Sequence, residues 1–263
     1  MRRIVAATAA AVVMLAAVAA DAKEWTKIRF GVEGAYPPFS EVSPDGQLKG
    51  FDIDIARALC AEMKAECTLV QQDWDGIIPA LLARKYDAII ASMSITEERK
   101  QKVDFTDKYY FTPGQFAAKK GSITDISPEA MKGKKVGVQR ATIHDRFLTE
   151  TYGDAIEIVR YASQDEAYLD LASGRVDALV VDSLAVKLGF LDTERGKDFA
   201  LAGPPLSDPR WWGQGAGIAV RKQDSDLREQ LNVAITAIRQ NGTWEKLKQQ
   251  YFGDIDIWGE PTS

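Results

Sequence analysis

Apolar residues recur at two different spacings along this chain, and the two spacings alternate. Residues 88–90 form a short uninterrupted apolar run, which is the pattern of a strand inside a parallel sheet. Residues 51–64 instead place apolar side chains on one helical face, at Ala56, Leu59, Cys60 and Met63. Asp52 or Asp54 is expected to cap the start of that helix. Because each half of the chain shows strand, helix, strand and helix, we predict an α/β fold with mostly parallel sheets.

The two halves of the chain also repeat each other in sequence. FGVEGA at residues 30–35 resembles VGVQRA at residues 136–141. YDAIIAS at residues 86–92 resembles VDALVVDS at residues 176–183. Each of these segments contains a predicted strand, so the strands of the two halves occur in the same order.

The helices that precede the second strand of each half match as well. Asp75 lies twelve residues before Asp87, and Asp165 lies twelve residues before Asp177. Several matched pairs in the same order predict two similar lobes.

Polar residues stand at the strand ends of both predicted lobes. Glu33 and Ser92 follow strands of the first lobe, and Gln139 and Asp182 follow strands of the second. Ligands in open α/β sheets bind beyond the carboxyl ends of the strands. We therefore expect these positions to face one another across a ligand cleft between the lobes.

The end of the chain is predicted to hold two helices. A long helix through residues 226–240 should end at Asn241 and Gly242, a pair that signals a helix C-terminus. Thr243 is expected to cap a shorter helix over residues 244–251. These helices are expected to pack on the first lobe.

The expected organisation has four parts. Residues 1–22 are a signal peptide, residues 23–111 begin the first lobe, residues 112–208 form the second lobe, and residues 209–263 return to the first. A chain that crosses twice between lobes has two linkers, which suits hinge closure around a ligand.

The N-terminal segment has the layout of a secretory signal peptide. Arg2 and Arg3 precede an apolar stretch over residues 4–20, and small residues follow. Cleavage is expected after Ala20 or Ala22, between which the sequence does not choose. The alternative is an uncleaved N-terminal anchor. The mature protein is expected to be soluble and periplasmic.

Composition narrows the possible classes of function. The 263 residues include 33 Lys+Arg and 38 Asp+Glu, for a formal net charge of −5. An acidic exported chain has no electrostatic reason to bind nucleic acid or anionic lipid. The single histidine, His144, excludes a paired-histidine metal site, and no GxSxG elbow accompanies it. We expect neither a metal nor a cofactor.

The two cysteines, Cys60 and Cys67, lie seven residues apart. In an oxidising compartment a disulfide is favoured over the alternative of two buried thiols. Closing so short a loop would stabilise the protein by about 2.5 kcal/mol in the chain-entropy description, less any strain.

Five motifs in order and spacing make the chain similar to a known family. They are GVEGAYPPF, GFDIDIA, DWDGIIPAL, DAIIASMSITEER and IRQNGTWEKLKQQYF. With these motifs the chain resembles the periplasmic solute-binding proteins that feed polar amino acids to ABC importers. The resemblance is nearest to lysine/arginine/ornithine- and histidine-binding proteins and to the opine-binding branch. It implies a two-lobed type II periplasmic-binding-protein fold, a monomer that closes over a small ligand, and a transmembrane permease as partner.

The stretch DAIIASMSITEER holds the expected contacts to an α-carboxylate. Ser94 and Thr96 are expected to begin a helix, with Glu97 completing a Ser-x-x-Glu cap. Amides at a helix N-terminus attract an anion, and a two-pronged contact from an arginine suits a carboxylate. The resemblance implies this role for Arg99, with Ser92 and Ser94 assisting. The alternative places Arg99 on a solvated helix face.

The second lobe is expected to complete the contacts to the amino-acid group. Asp182 ends an apolar strand, where a carboxylate is costly unless it is paired. The resemblance gives it the α-ammonium of the ligand, while a helix N-cap is the other expected role, and the two can coexist. Thr142 is expected to contact the α-carboxylate. Ala91, Met93 and Gln139 complete the pocket positions that the resemblance implies.

The other end of the pocket is expected to bind the ligand side chain. Tyr36 and Trp74 are the expected aromatic walls, because a guanidinium stacks well on an aromatic face. Packing in an ordinary core is the alternative for both. Glu33, on the far side from Arg99, would pair a distal cation, which predicts arginine, lysine, ornithine or histidine as ligand.

Departures from the family pattern keep other functions open. Glu33 stands where basic amino-acid binders usually have aspartate, Ala91 where serine is usual, and Gln139 where leucine is common. An octopine- or nopaline-type opine is therefore the alternative ligand, with Arg140 either meeting its extra carboxylate or lying in a solvated loop. An enzyme resembling the cyclohexadienyl dehydratases is a further alternative, with Glu33 as general acid. A full clamp for an α-amino acid favours binding over catalysis.

Overall fold

The structure, a computed structural model, describes residues 25–259. Its strands are β1 (Lys27–Val32), β2 (Ala35–Tyr36), β3 (Ser40–Val42), β4 (Leu48–Lys49), β5 (Glu66–Gln71), β6 (Ala88–Ile89), β7 (Asp104–Tyr110), β8 (Gly114–Lys119), β9 (Lys135–Gln139), β10 (Glu157–Tyr161), β11 (Ala178–Asp182), β12 (Phe199–Leu206) and β13 (Ala216–Val220). Its helices are α1 (Phe51–Glu62), α2 (Ile77–Leu82), α3 (Glu97–Lys100), α4 (Ile143–Tyr152), α5 (Gln164–Ala172), α6 (Ser183–Val186), α7 (Pro209–Trp212), α8 (Ser225–Gln240) and α9 (Thr243–Phe252). The expected signal peptide, residues 1–22, lies outside the described residues.

Two five-stranded sheets organise the molecule and repeat each other. The first has the order β5-β1-β6-β13-β7, and the second has the order β10-β9-β11-β8-β12. In the first sheet β1 runs parallel to β5 and β6, and in the second β9 runs parallel to β10 and β11. The fourth strand of each sheet, β13 or β8, is antiparallel to both of its neighbours. The predicted α/β fold with two similar halves is confirmed.

The chain passes between the two sheets twice. It leaves the first sheet after β7 and enters the second at β8, then leaves the second after β12 and returns at β13. Residues 111–113 form the first connection and residues 207–215 form the second, which includes α7. The lobe boundaries expected at 111/112 and 208/209 stay predictions.

The helical face predicted for α1 packs into the core of the first lobe. Ala56 and Leu59 are fully buried, and Cys60 and Met63 pack against the same apolar cluster. Burying one face while the other stays polar is what the helical spacing predicts.

The predicted cap of α1 is wrong. The helix begins after Gly50, which has a φ of 127° and no side chain to cap with. A Cβ at this position would lie 2.3 Å from the carbonyl oxygen of Phe39, so a side chain does not fit. Asp52 and Asp54 lie inside the first turn of the helix, and Asp52 is fully buried.

Cys60 and Cys67 form a disulfide that joins α1 to β5. The Cα atoms are 6.1 Å apart, within the range that a disulfide spans. The bridge ties the helix to the edge strand of the first sheet, and the predicted disulfide is confirmed.

The C-terminal helices return to the first sheet. Asn241 is the C-cap of α8, and Gly242 has a left-handed φ of 81°, as the sequence predicts. Thr243 is the first residue of α9 and gives no side-chain cap, so the cap predicted there is wrong. The indole N–H of Trp244 donates to the carbonyl oxygen of Tyr109 at 2.8 Å, which ties α9 to β7.

Within residues 25–259 the longest helix is α8, with 16 residues, and it buries one face only. None of the helices in this part of the chain has the length and apolar character needed to cross a membrane.

The same residues, 25–259, contain no cluster of three or more His, Cys, Asp or Glu side chains that could hold a metal ion.

Candidate functional site

The predicted pocket positions come together where strands of the two sheets end. Two small adjoining cavities between the sheets are lined by Glu33, Tyr36, Trp74, Ala91, Ser92, Ser94, Arg99, Gln139, Thr142 and Asp182. Met93 does not line these cavities, because its side chain is fully buried in an apolar cluster beside them. It stands between Ser92 and Ser94, which both line the cavities.

Glu33 and Gln139 meet across the cleft at one end of the site. Gln139 Nε2 donates to Glu33 Oε1 at 2.5 Å and also lies 3.3 Å from the carbonyl oxygen of Ala162. Because Nε2 faces two acceptors, Gln139 Oε1 is left as an acceptor for a third group. Burial raises the pKa of Glu33 to about 7, although the contact from Gln139 opposes the shift.

Arg99 lines the same cavity as Glu33, with its guanidinium partly buried. Its Nη1 donates to the carbonyl oxygen of Ser94 at 2.9 Å, and its Cζ lies 5.3 Å from the centre of the Trp74 ring. Burial lowers the pKa of Arg99 to about 10. Among residues 25–259 no carboxylate lies in ion-pair contact with Arg99, so its charge is available to an anion.

The cap that precedes Arg99 differs from the prediction. The hydroxyl of Thr96, not that of Ser94, accepts from the backbone N–H of Arg99 at 3.3 Å. The predicted Ser94–Glu97 cap is therefore wrong. Ser94 instead pairs as an isolated bridge with Ala216 of β13, which leaves its side chain facing the cavity.

A buried carboxylate orients Ser92. Ser92 Oγ donates to Asp52 Oδ2 at 2.9 Å, and the hydroxyl of Tyr109 donates to Asp52 Oδ1 at 2.8 Å. The backbone N–H of Ser92 in turn donates to the Tyr109 oxygen at 3.2 Å. Because the Ser92 hydroxyl donates its hydrogen to Asp52, its oxygen can only accept from a further group. Ser92 lines the cavity, so that acceptor is available to a ligand. Burial raises the pKa of Asp52 to about 7.

Asp182 ends β11 and caps α6. Its Oδ1 accepts from the backbone N–H groups of Leu184 and Ala185, each at 3.0 Å, and its other oxygen accepts from the hydroxyl of Thr112. Burial raises the pKa of Asp182 to about 6. The structure thus shows the N-cap role, and the carboxylate borders the second cavity at the same time.

Thr142 begins α4 at the edge of the site. Its hydroxyl accepts from the backbone N–H of Asp145 at 3.2 Å and donates to the carbonyl oxygen of Gln139 at 2.7 Å. The first turn of α4 also brings His144 to both cavities. Burial and the nearby charge of Arg99 lower the pKa of His144 to about 3, so its imidazole is neutral.

Further contacts join the two lobes beside the cavities. They are Trp74 Nε1 to the carbonyl oxygen of Ala141 (3.2 Å), the ion pair of Arg140 with Asp75, and Arg146 to Glu98 (3.2 Å). Arg140 is an exposed turn residue with 48% of its side chain accessible, and its guanidinium is paired with Asp75. The two lobes are therefore in direct contact beside the cavities.

Residues 28–254 match the bacterial extracellular solute-binding proteins, family 3. The chain belongs to this family. The match spans both sheets and all the pocket positions described above. The family that the five motifs predicted is thereby confirmed, and so is the two-lobed fold.

Several amino-acid-binding proteins are similar to this chain over nearly their whole length. The L-arginine-binding protein of Pseudomonas aeruginosa is 49% identical over 254 residues, which is 96% of this chain and 96% of that protein. The histidine-binding periplasmic protein of Escherichia coli is 41% identical over 98% of this chain and 100% of its own. The lysine/arginine/ornithine-binding periplasmic protein of Escherichia coli is 40% identical over 89% of this chain and 90% of that protein.

Solved structures of arginine-binding proteins have a similar fold. A Salmonella typhimurium periplasmic binding protein described as highly specific for arginine superposes with a TM-score of 0.80, at 34% identity, over 86% of this chain and 99% of that one. An ancestral arginine-binding protein bound to arginine also gives a TM-score of 0.80, at 37% identity, over 88% and 100%. These relatives are binding proteins, and this family 3 chain is a binding protein and not an enzyme.

Sequence reasoning missed several residues of this family 3 site. Asp52 and Tyr109 hold Ser92, Thr112 holds Asp182, and Gln164 lines the first cavity beside Glu33 and Gln139. A signal for Gln164 was present in the repeat, because Asp165 matches Asp75 and Gln164 therefore matches Trp74. Asp52 gave no such signal, since an acidic residue in the first turn of a helix is ordinary.

Proposed function

We propose that this protein is the periplasmic binding component of an ABC importer and that its ligand is a basic amino acid. It is exported by the signal peptide at residues 1–22, acts as a monomer, and delivers the ligand to a transmembrane permease. The names of the similar proteins support this class of ligand, since they bind arginine, histidine, or lysine, arginine and ornithine.

The observation that carries the proposal is the buried carboxylate of Glu33. It is 6% exposed, and among residues 25–259 its hydrogen-bond partner is a neutral amide and no cation pairs with it. A buried carboxylate is costly without a positive partner. The distal ammonium or guanidinium of a basic amino acid supplies that partner.

Other residues of the site suit the group common to all α-amino acids. Arg99 offers an unpaired guanidinium to a carboxylate, and the first turn of α4 at Thr142 offers backbone N–H groups. Asp182 and the acceptor oxygen of Ser92 suit an ammonium. With its amino-acid group bound by these residues, the ligand would direct its side chain toward Glu33.

Aromatic side chains flank the path between the two ends. Tyr36 and Trp74 both line the first cavity, and Trp74 is held by its contact with Ala141. Aromatic faces attract a guanidinium or an ammonium with its apolar stem. An opine ligand is less well supported, because Arg140 is already paired with Asp75 and is not free for an additional carboxylate.

The contacts between the lobes support closure around the ligand. Glu33 and Trp74 stand on the first lobe, and Gln139 and Ala141 on the second. We place the lobes at residues 23–111 with 209–263, and at residues 112–208. Opening the hinge breaks the cross-cleft contacts, and a ligand that bridges the lobes favours the closed arrangement.

Isothermal titration with a matched set of amino acids tests the proposal. L-arginine, L-lysine, L-ornithine and L-histidine carry a distal base, whereas L-glutamine and L-glutamate are neutral and acidic at that end. At least one basic amino acid should bind more tightly than glutamine by about tenfold or more. Equal or tighter binding of glutamine or glutamate would refute the proposed ligand class.

A further inference from the structure

Gln164 has a buried amide nitrogen that pairs with no group in residues 25–259. It is the first residue of α5, is 2% exposed, and lines the same cavity as Glu33 and Gln139. Its Nε2 is buried, and no acceptor in the described part of the chain takes its hydrogens. Burying an amide without a partner is costly. This polar side chain therefore does not stabilise the fold in the way an apolar residue would.

The start of α5 holds Gln164 in this place. Ser163 and Glu166 form a reciprocal capping box, in which the Ser163 hydroxyl accepts from the backbone N–H of Glu166 at 3.3 Å. One residue earlier, the carbonyl oxygen of Ala162 faces the amide of Gln139 at 3.3 Å. The first turn of α5 is thus fixed beside the Gln139 amide, and the position of Gln164 follows from it.

The internal repeat indicates the same position independently. Asp165 corresponds to Asp75, so Gln164 corresponds to Trp74, and both residues line the first cavity. Each lobe therefore contributes the residue at this equivalent position to the lining of the cavity. The first lobe contributes an aromatic ring, and the second contributes an amide.

We propose that Gln164 is a specificity-determining residue that hydrogen-bonds the polar end of the ligand side chain. This inference rests on the proposed function, because it takes the ligand to be an α-amino acid with its side chain directed at Glu33. Among the described residues Nε2 of Gln164 has no hydrogen-bond partner, so rotating the amide by half a turn would present its oxygen to N–H donors of a ligand without breaking a bond of Nε2. A ligand with such donors can then pair with the amide oxygen.

The chemistry of this end favours a guanidinium. The Glu33 carboxylate, the free oxygen of Gln139 and the oxygen of Gln164 together present acceptors from both lobes. A guanidinium carries five N–H donors in a plane and can satisfy several acceptors at once. The ligand class is therefore an amino acid with an arginine-like side chain.

Gln164→Met tests the inference, because methionine has a similar length and no hydrogen-bonding amide. In isothermal titration, the affinity for L-arginine should fall about tenfold relative to the parent, which corresponds to about 1.4 kcal/mol. The side chain of L-norleucine ends in a methyl group and cannot pair with the Gln164 amide of the parent. L-norleucine should therefore bind Gln164→Met more tightly than it binds the parent. Gln240→Met, at the exposed end of α8, is the matched control and should change neither affinity.

Thermal unfolding without added ligand separates recognition from folding. Gln164→Met should unfold at the parent temperature or higher, because it removes a buried amide that has no partner. An unchanged affinity for arginine, equal losses for arginine and norleucine, or a lower unfolding temperature would overturn the inference and leave the proposed function standing. If the parent binds none of arginine, lysine, ornithine and histidine, the proposed function fails and the inference fails with it.

Discussion

Replacing Glu33 by glutamine removes the charge at the distal end of the pocket and keeps its shape. The parent carboxylate is 6% exposed and receives a hydrogen bond from Gln139 at 2.5 Å. A glutamine side chain still offers Gln139 an oxygen at the same place. The substitution therefore tests the charge alone, and Arg99 and Asp182, which face the groups common to all amino acids, stay intact.

The expected loss of affinity follows from the charged hydrogen-bond partner, the Glu33 carboxylate, that the substitution removes from a ligand cation. A hydrogen bond to a charged group contributes about 1.5–3 kcal/mol, and a factor of ten in affinity corresponds to about 1.4 kcal/mol. Arginine, lysine or ornithine, whichever binds the parent, should therefore bind Glu33→Gln at least about tenfold more weakly. Glutamine carries no distal charge and should bind both proteins about equally, or the variant more tightly.

The raised pKa of Glu33 predicts how both the arginine affinity and the stability of the unbound protein change with pH. Burial raises this pKa from 4.5 to about 7, and a ligand cation favours the charged form, so binding below about pH 7 releases a proton. Arginine affinity of the parent should rise between about pH 5 and about pH 8, and that of Glu33→Gln should change less. Because the folded-state pKa lies above the unfolded one, the contribution of Glu33 to the stability of the unbound protein is complete below pH 4.5 and is lost as pH rises through about 7.

Isothermal titration of three proteins with arginine and glutamine provides the measurement. Glu66→Gln is the matched control, because Glu66 is an exposed residue of the edge strand β5, paired with Lys27 at 3.0 Å. This control should bind both ligands like the parent. Equal losses for arginine and glutamine in Glu33→Gln, or no loss for arginine, would show that Glu33 does not read the side chain. The assignment of a basic ligand would then be refuted as well.

Two further substitutions address the end of the pocket that binds the amino-acid group. Arg99→Lys should weaken every α-amino acid, since a single ammonium does not replace a two-pronged contact, and Arg99→Ala should cost about 2–5 kcal/mol of binding free energy while cooperative unfolding persists. Titration of either variant with parent-like affinity would contradict this role. Asp52→Asn deprives the hydroxyl of Ser92 or Tyr109 of its acceptor and should weaken arginine and glutamine alike, by about fivefold for about 1 kcal/mol per hydrogen bond. A loss confined to arginine would contradict that reasoning.

Local patterns were sufficient to predict the elements and much of the site. Two such features are the buried face of α1 at Leu59 and the end of α8 at Asn241 and Gly242. Both depend on the backbone geometry of a few neighbouring residues, so the local sequence is enough to predict them. The internal repeat predicted that Glu33 and Gln139 occupy equivalent strand ends. The structure places these two side chains in contact, as parallel strands ending at a common cleft require.

Other features depended on contacts between distant parts of the chain. Asp52 was expected to cap α1, but Gly50 begins that helix, and Asp52 instead accepts a hydrogen bond from Ser92, 40 residues away. The partner of Glu33 is 106 residues away, and the buried amide of Gln164 is recognised only once both lobes enclose it. Periodicity reports which face of its own element a side chain occupies, because that depends on local backbone geometry. The group that a side chain meets across the cleft depends on how two separately packed cores come together, and no short stretch of sequence contains that arrangement.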